Sequence, residues 1–148
     1  MLELLIAHLY KLDGYNIDIR QQIRSEENDP AEIDVKATSR QEVVCVECKG
    51  KSPSALVDTP EIQDWLDRSL PRIKSWLKLS TTLPDKRRFE FYSSTGYTAD
   101  AESLINHVTT THTKQPIHFF RGIDIIAKLQ KQKEMPLVNM FREQFLPH

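Results

Sequence analysis

The sequence predicts an α/β fold, and three observations carry that expectation. Apolar residues recur at helical spacing in Leu2, Leu5, Ile6, Leu9 and Leu12. Two short β-branched runs, residues 32–36 and 43–49, flank a polar turn and read as adjacent strands of a hairpin. Further along, helical and strand-like patterns alternate, giving the order helix, three strands, helix, strand, helix, strand, helix.

Each element has its own signal. Gly14 ends the first helix. Residues 15–24 read as a strand with polar alternation late in its course, and residues 25–30 as an acidic turn. The hairpin strands follow. Residues 50–59 form a loop with Ser and Pro, and Pro60 suits the first turn of the next helix. Ile62, Trp65, Leu66, Leu70, Ile73, Trp76 and Leu77 give that helix one broad apolar face. Pro71 interrupts it, so a kink or two shorter pieces are expected. Lys86, Arg87 and Arg88 read as a loop charge run before a strand at 89–93. Thr98 or Asp100 caps a helix reaching about Thr110. Residues 117–120 are a last short strand, Gly122 leads into a helix over 123–131, and 137–145 is a final amphipathic helix. No internal repeat appears.

The bounds on function are broad. A chain of 148 residues reads as one domain, with its core over about 1–131 and a C-terminal amphipathic helix over 136–146. A formal net charge of −1 exerts no global pull on nucleic acid, so an anionic partner must be met by a local patch. The longest apolar runs are four residues, far short of a membrane span, and Glu3 stands where a basic leader would be. A cytoplasmic chain without membrane contact is the expectation. Cys45 and Cys48 form a literal C-x-x-C, but residues three apart on a strand point to opposite faces. They are expected as two small buried side chains in a reducing compartment, with no zinc and no disulfide. His107 and His112, five apart, do not share a helix face cleanly and are given no metal role.

The chemistry concentrates in the hairpin. Asp34 lies on its first strand, and Glu47, Cys48 and Lys49 on its second. Alternation puts Glu47 and Lys49 on one face and Val46 and Cys48 on the other. A Glu and a Lys inside so apolar a strand are costly to bury unless they are paired or hold an ion. Two carboxylates from neighbouring strands beside one ammonium can hold a divalent cation and a reactive water. The bland counterpart is an ion-pair cluster on a solvated sheet edge, against which the strand's apolar content argues.

A first helix carrying Glu3, Gly14-Tyr15 leading into strand one, Asp34 on strand two and Val46-Glu47-Cys48-Lys49 on strand three resemble the PD-(D/E)xK nuclease superfamily. More narrowly they look like Mrr-like restriction endonuclease domains. Residues 91–101, a strand ending in a Ser/Thr turn before a helix, are similar to that group, as is the segment 118–124. The resemblance runs from Glu3 to about Lys131, with Ile33 standing where the superfamily's name has Pro. It implies a restriction-endonuclease-like mixed central sheet flanked by helices, an α-β-β-β-α-β core with added αβα elements. It implies Mg²⁺, replaceable by Mn²⁺, on Asp34, Glu47 and the backbone carbonyl of Cys48. Lys49 would orient the attacking water or offset charge on the phosphate. Glu3 would face the same site as a second-metal or water-held ligand, and Gln63 would bond a phosphate or the water.

The activity implied is metal-dependent hydrolysis of phosphodiester bonds in DNA, in a defence setting. The alternative is a catalytically inactive nuclease-fold domain that binds nucleic acid or a partner protein. Lys51, Arg68, Arg72 and Lys86, Arg87 and Arg88 are the cations expected to meet DNA. Both ends of the chain look cut, the last four residues being Phe145-Leu146-Pro147-His148. A nuclease part of a longer protein is therefore expected, acting as a homodimer or through a fused sensor domain.

Overall fold

A computed structural model describes residues 1–112 and 114–147; His148, named above with the chain's end, lies outside the described residues. Helix α1 (Leu2–Leu12) precedes strands β1 (Asn16–Arg24), β2 (Pro30–Thr38) and β3 (Glu42–Lys49). Then come α2 (Thr59–Asp64), a π-helical turn (Trp65–Ser69), α3 (Leu70–Lys78) and β4 (Lys86–Ser93). Helix α4 (Ala99–Thr111), β5 (Ile117–Phe120), α5 (Gly122–Lys131) and α6 (Met135–Phe145) complete the order. The five strands lie side by side in chain order, antiparallel from β1 to β3 and parallel from β3 to β5. This is the expected mixed sheet flanked by helices.

Parallel neighbours need crossover helices, and crossovers of one hand that advance the sheet in one direction land on one face. The α2–α3 and α4 crossovers accordingly bury Val43, Cys45, Phe89, Phe91 and Phe119 on the same face. Helices α1, α5 and α6 cover the other face, over Val35, Val44, Val46, Cys48 and Tyr92. Central strand β3 is thus apolar on both sides, as strands between two helical layers must be. Cys45 and Cys48 fall in different cores as free thiols, so alternation separated them as expected.

One element differs from the sequence reading, and one takes a form that the reading left open. Lys86, Arg87 and Arg88 are not in a loop; they open β4, paired with Glu42, Val43 and Val44 of β3. The buried Glu42 carboxylate supplies the reason, with Lys86 Nζ at 3.6 Å and an Arg88 guanidinium nitrogen at 3.2 Å. Near Pro71 the helix is divided, as expected, into two shorter α pieces, α2 and α3, joined by the π turn. Asp58 starts it with a capping box to Glu61, and the π turn just ahead of Pro71 widens the coil. Proline lacks an N–H and its ring crowds the carbonyl four residues back, so a wider turn relieves both problems.

Close packing also fixes the start of α5. A Cβ on Gly122 would stand 2.5 Å from the Ser94 carbonyl oxygen and 3.1 Å from Leu146 Cδ2. Backbone cannot yield as a side-chain tip can. Gly122→Ala is therefore expected to lower stability by about 1–3 kcal/mol in denaturant unfolding. A change within about 0.5 kcal/mol, the range of an unconstrained surface site, would show that the turn has room to spare.

Candidate active site

The candidate site forms where the sheet splits. Pairing of β2 with β3 runs from Thr38↔Val43 to Val35↔Val46 and stops before Asp34 meets Glu47. The backbone N–H of Cys48 donates instead to Asp34 Oδ2 at 2.8 Å, so a side chain takes the place of the next ladder bond. On the other side of β2, the β1 ladder skips the Arg20–Asp34 pair, and Arg20 has φ +53°. A non-glycine residue in the left-handed region inside a strand marks a local distortion. Its effect on β2 is visible: Ile33 packs in the core under α3 and Val35 in the core under α1. Simple alternation would put both on one face. The strand turns over at Asp34 and carries that carboxylate into the fork.

Glu47 and Lys49 remain in the ladder, opposite Phe91 and Ser93 of β4. The site therefore lies at the carboxyl ends of β3 and β4, where open α/β sheets usually hold ligands. The turn after β4 props these ends. Ser94 N–H donates to the Lys49 carbonyl at 3.1 Å, and Lys51 N–H donates to Ser94 Oγ at 2.7 Å. Thr95 Oγ1 donates to the Ala55 carbonyl at 2.6 Å, and Ser93 Oγ to that of Gly96 at 2.8 Å. The Ser/Thr run singled out in the sequence acts as a brace.

Electrostatics single out the acids. Burial pushes the Asp34 carboxyl up to about 6, against the Cys48 N–H that favours its anion, with Glu32 and Glu3 adding to the rise. Burial and the Asp34 charge push Glu47 up to about 7, while Lys49 opposes the rise. Lys49 Nζ lies 3.4 Å from Glu47 Oε1, and its side chain is 36% exposed, so the ammonium reaches from the fork toward solvent. At Glu3, burial is the largest influence and acts upward. Its own backbone N–H, the N-terminal amine at 3.2 Å and Arg20 together carry it below its ordinary value.

Asp34, Glu47, Lys49 and the Cys48 backbone are thus gathered at the fork, with Glu3 close enough to influence Asp34. The predicted cations are dispersed and engaged. Lys51 Nζ binds Glu61 at 2.7 Å, and Arg68 binds Asp64 at 3.0 Å. Gln63 donates to both Asp67 oxygens, and Arg72 to the Pro30 carbonyl at 2.8 Å, beside the β1–β2 turn. Arg87 Nε donates to the Pro84 carbonyl. Lys86, Arg87 and Arg88 stand at the end of the β3–β4 ladder away from Lys49↔Ser93. The sequence reading missed Glu32 and Arg20. Glu32 was detectable as a second acid two residues before Asp34, close enough to raise its carboxyl, whereas nothing local announces the backbone of Arg20.

The donor set fits a hard divalent cation. It offers two carboxylates that repel each other and a backbone carbonyl at Cys48, and Mg²⁺ commonly takes one or two carboxylates while keeping waters. Among the described residues no group of three or more His, Cys, Asp or Glu side chains forms a fuller cage. No helix among them is long and apolar enough to cross a membrane.

No protein-family model matches the chain, and no curated protein matches it. Two solved structures are similar to it. The crystal structure of AF1548, a protein of unknown function, superposes with a TM-score of 0.62 at 16% identity, over 89% of this chain and 65% of that one. MspJI restriction endonuclease in complex with a 27-mer oligonucleotide gives a TM-score of 0.46 at 12% identity, over 99% of this chain and 33% of that one. The chain spans less than two thirds of the length of either. The likeness to AF1548 is one of fold alone, a five-stranded mixed sheet flanked by helices.

Proposed function

We propose that this chain is a metal-dependent endonuclease that hydrolyses phosphodiester bonds in DNA. The observation that carries the reading is the fork itself. Two carboxylates are held in partial burial at a point where their charges repel, beside one ammonium that reaches solvent. Such a pair is unfavourable without a cation and favourable with one, which suits a site selected for an ion rather than for stability.

Asp34, Glu47 and the Cys48 carbonyl would hold Mg²⁺, with Mn²⁺ able to replace it. The ion would supply Lewis acidity at the scissile phosphate and a water of lowered pKa. The chain's own residues do the rest. The Cys48 N–H fixes the orientation of Asp34 by donating to its Oδ2. Lys49 stabilises the charge that builds on the phosphate or orients the incoming water. Glu3, on the first turn of α1, would hold a water or a second ion.

DNA would be met by Lys51, Gln63, Arg68, Arg72 and Lys86, Arg87 and Arg88. Nearly all of these already have protein partners, so phosphates must compete for them. Weak binding by the isolated domain follows, and a slope of log K against log salt near about −3 to −4, for roughly three to five phosphate contacts. A slope steeper than about −6 in an anisotropy titration would mean that a larger basic surface takes part. A second subunit or a fused domain would raise the effective DNA concentration.

The deciding experiment is plasmid nicking. Supercoiled DNA should be converted to nicked circles with Mg²⁺ or Mn²⁺ and left intact with EDTA. Intact plasmid under every divalent ion would make the catalytically inactive binding domain the better reading.

A further inference from the structure

Arg20 stands opposite Asp34, between the Ile19↔Val35 and Gln21↔Ile33 pairs of β1 and β2. Among the described residues Arg20, Asn28 and Lys133 are the non-glycine positions with positive φ, and Arg20, at +53°, is the one inside a strand. Left-handed backbone crowds the Cβ of an L-residue, and glycine or asparagine supplies the same turn with less strain. An arginine at this position therefore points to a use for its guanidinium.

That guanidinium is free. Arg20 is exposed, and among the described residues it makes no side-chain hydrogen bond and no ion pair. Lys51, Arg68, Arg72 and Arg87, by contrast, all bind protein oxygens. At Glu3 burial is the largest influence and opposes ionisation, while the charge of Arg20 is among those that favour it. The guanidinium thus lies near the first turn of α1, on the side of the fork that Glu3 occupies.

Charge balance gives the fork a need for it. Asp34 feels the charges of Glu32 and Glu3, and Glu47 those of Asp34 and Glu32. With these four acids ionised, the Lys49 ammonium and a doubly charged ion leave one negative charge in excess where a polyanion must approach. The Arg20 guanidinium balances it. Its planar fork of N–H groups also meets two phosphate oxygens at once, which an ammonium does not. An exposed cation on an edge strand more commonly deters pairing with another chain. The strained backbone directly opposite Asp34 favours the phosphate instead.

We propose that Arg20 is a substrate-binding residue that grips a DNA phosphate at the carboxylate fork. The assignment rests on the DNA-cleaving reading of that site.

Arg20→Asn tests it, because asparagine accepts left-handed backbone and lacks the guanidinium. Duplex binding is read by anisotropy over a range of salt, with Ca²⁺, a larger oxygen-binding ion, filling the fork in place of Mg²⁺. Arg20→Asn should bind about tenfold more weakly, with a slope of log K against log salt shallower by about 0.9. Its unfolding temperature should not fall. Arg20→Lys should recover most of the slope but only part of the affinity, since it restores the charge without the paired N–H groups. Plasmid nicking by the wild-type chain is measured alongside. Unnicked plasmid together with the shallower Arg20→Asn slope would end the nuclease reading and keep the phosphate contact. Normal nicking with an unchanged Arg20→Asn slope would overturn the contact and leave the nuclease reading standing, with Arg20 a guard of the sheet edge. Weaker binding at an unchanged slope, with a lower unfolding temperature, would also overturn it and make the residue structural.

Discussion

Lys49→Ala is expected to lower metal-dependent DNA cleavage by on the order of 10²–10⁴-fold while leaving DNA affinity nearly unchanged. That range corresponds to about 3–5 kcal/mol of transition-state stabilisation, a reasonable loss for one positioned charge in a partly dry site. The geometry separates this role from a structural one. Lys49 makes a single ionic contact, to Glu47 at 3.4 Å, and its partly exposed side chain contributes little to the cores on either side of the sheet. The fold should therefore survive its removal. Single-turnover cleavage and anisotropy binding, measured on the same preparation, make the comparison. Parallel losses in both would recast Lys49 as a residue that grips phosphate in the ground state.

The acids and the ammonium were legible because a strand announces its faces. In β3 the order of charged and apolar residues alone put Glu47 and Lys49 together and Cys48 opposite; Cys48 lies in the core under α1, and Lys49 Nζ stands 3.4 Å from Glu47 Oε1. The fork was not legible. It depends on the left-handed backbone of Arg20 and on a Cys48 N–H that leaves the ladder for Asp34, both of which appear only when three strands meet. Lys86 to Arg88 were misread as loop for a similar reason. Three adjacent cations look incompatible with an interior strand until Glu42 of the neighbouring strand is there to offset Lys86 and Arg88, and the Pro84 carbonyl to accept from Arg87.

Partners were harder to read than positions. Lys51 is plainly a cation in the sequence, yet its ammonium belongs to Glu61, ten residues further on and in the capping box of another element. Glu90, between Phe89 and Phe91, has the pattern of an ordinary half-exposed strand, and its burial under Tyr10 comes from the packing of α1. Pro71 gave the place of a helical irregularity but not its form, since a kink and a π turn answer the same missing N–H.

Asp34→Asn should raise the stability of the metal-free protein at pH 8 and abolish most of the stabilisation that Mg²⁺ provides. The sign follows from the direction of the shifts. Burial raises both carboxyls, to about 6 for Asp34 and about 7 for Glu47, well above their ordinary values. In that window the native state holds protons that the unfolded chain has released. Stability is therefore full below about pH 4 and is lost as pH rises through about 7. An amide at position 34 keeps an acceptor for the Cys48 N–H but removes one charge from the pair. At pH 8 the gain should be on the order of 1 kcal/mol, about 2–4 °C in Tm for a chain of this size, and should vanish near pH 4. Mg²⁺ should act in the opposite sense. It should stabilise the wild-type chain by RT ln(1 + c/Kd), with c the free Mg²⁺ concentration, as any ion that binds only the native carboxylate pair must, and a variant with one carboxylate should respond far less. Thermal unfolding of both proteins from pH 4 to 8, in EDTA and in excess Mg²⁺, reads the two effects together. Equal Mg²⁺ responses would remove Asp34 from the ligand set, and a wild-type Tm that does not fall between pH 5 and 8 would mean that the fork does not hold its acids against repulsion.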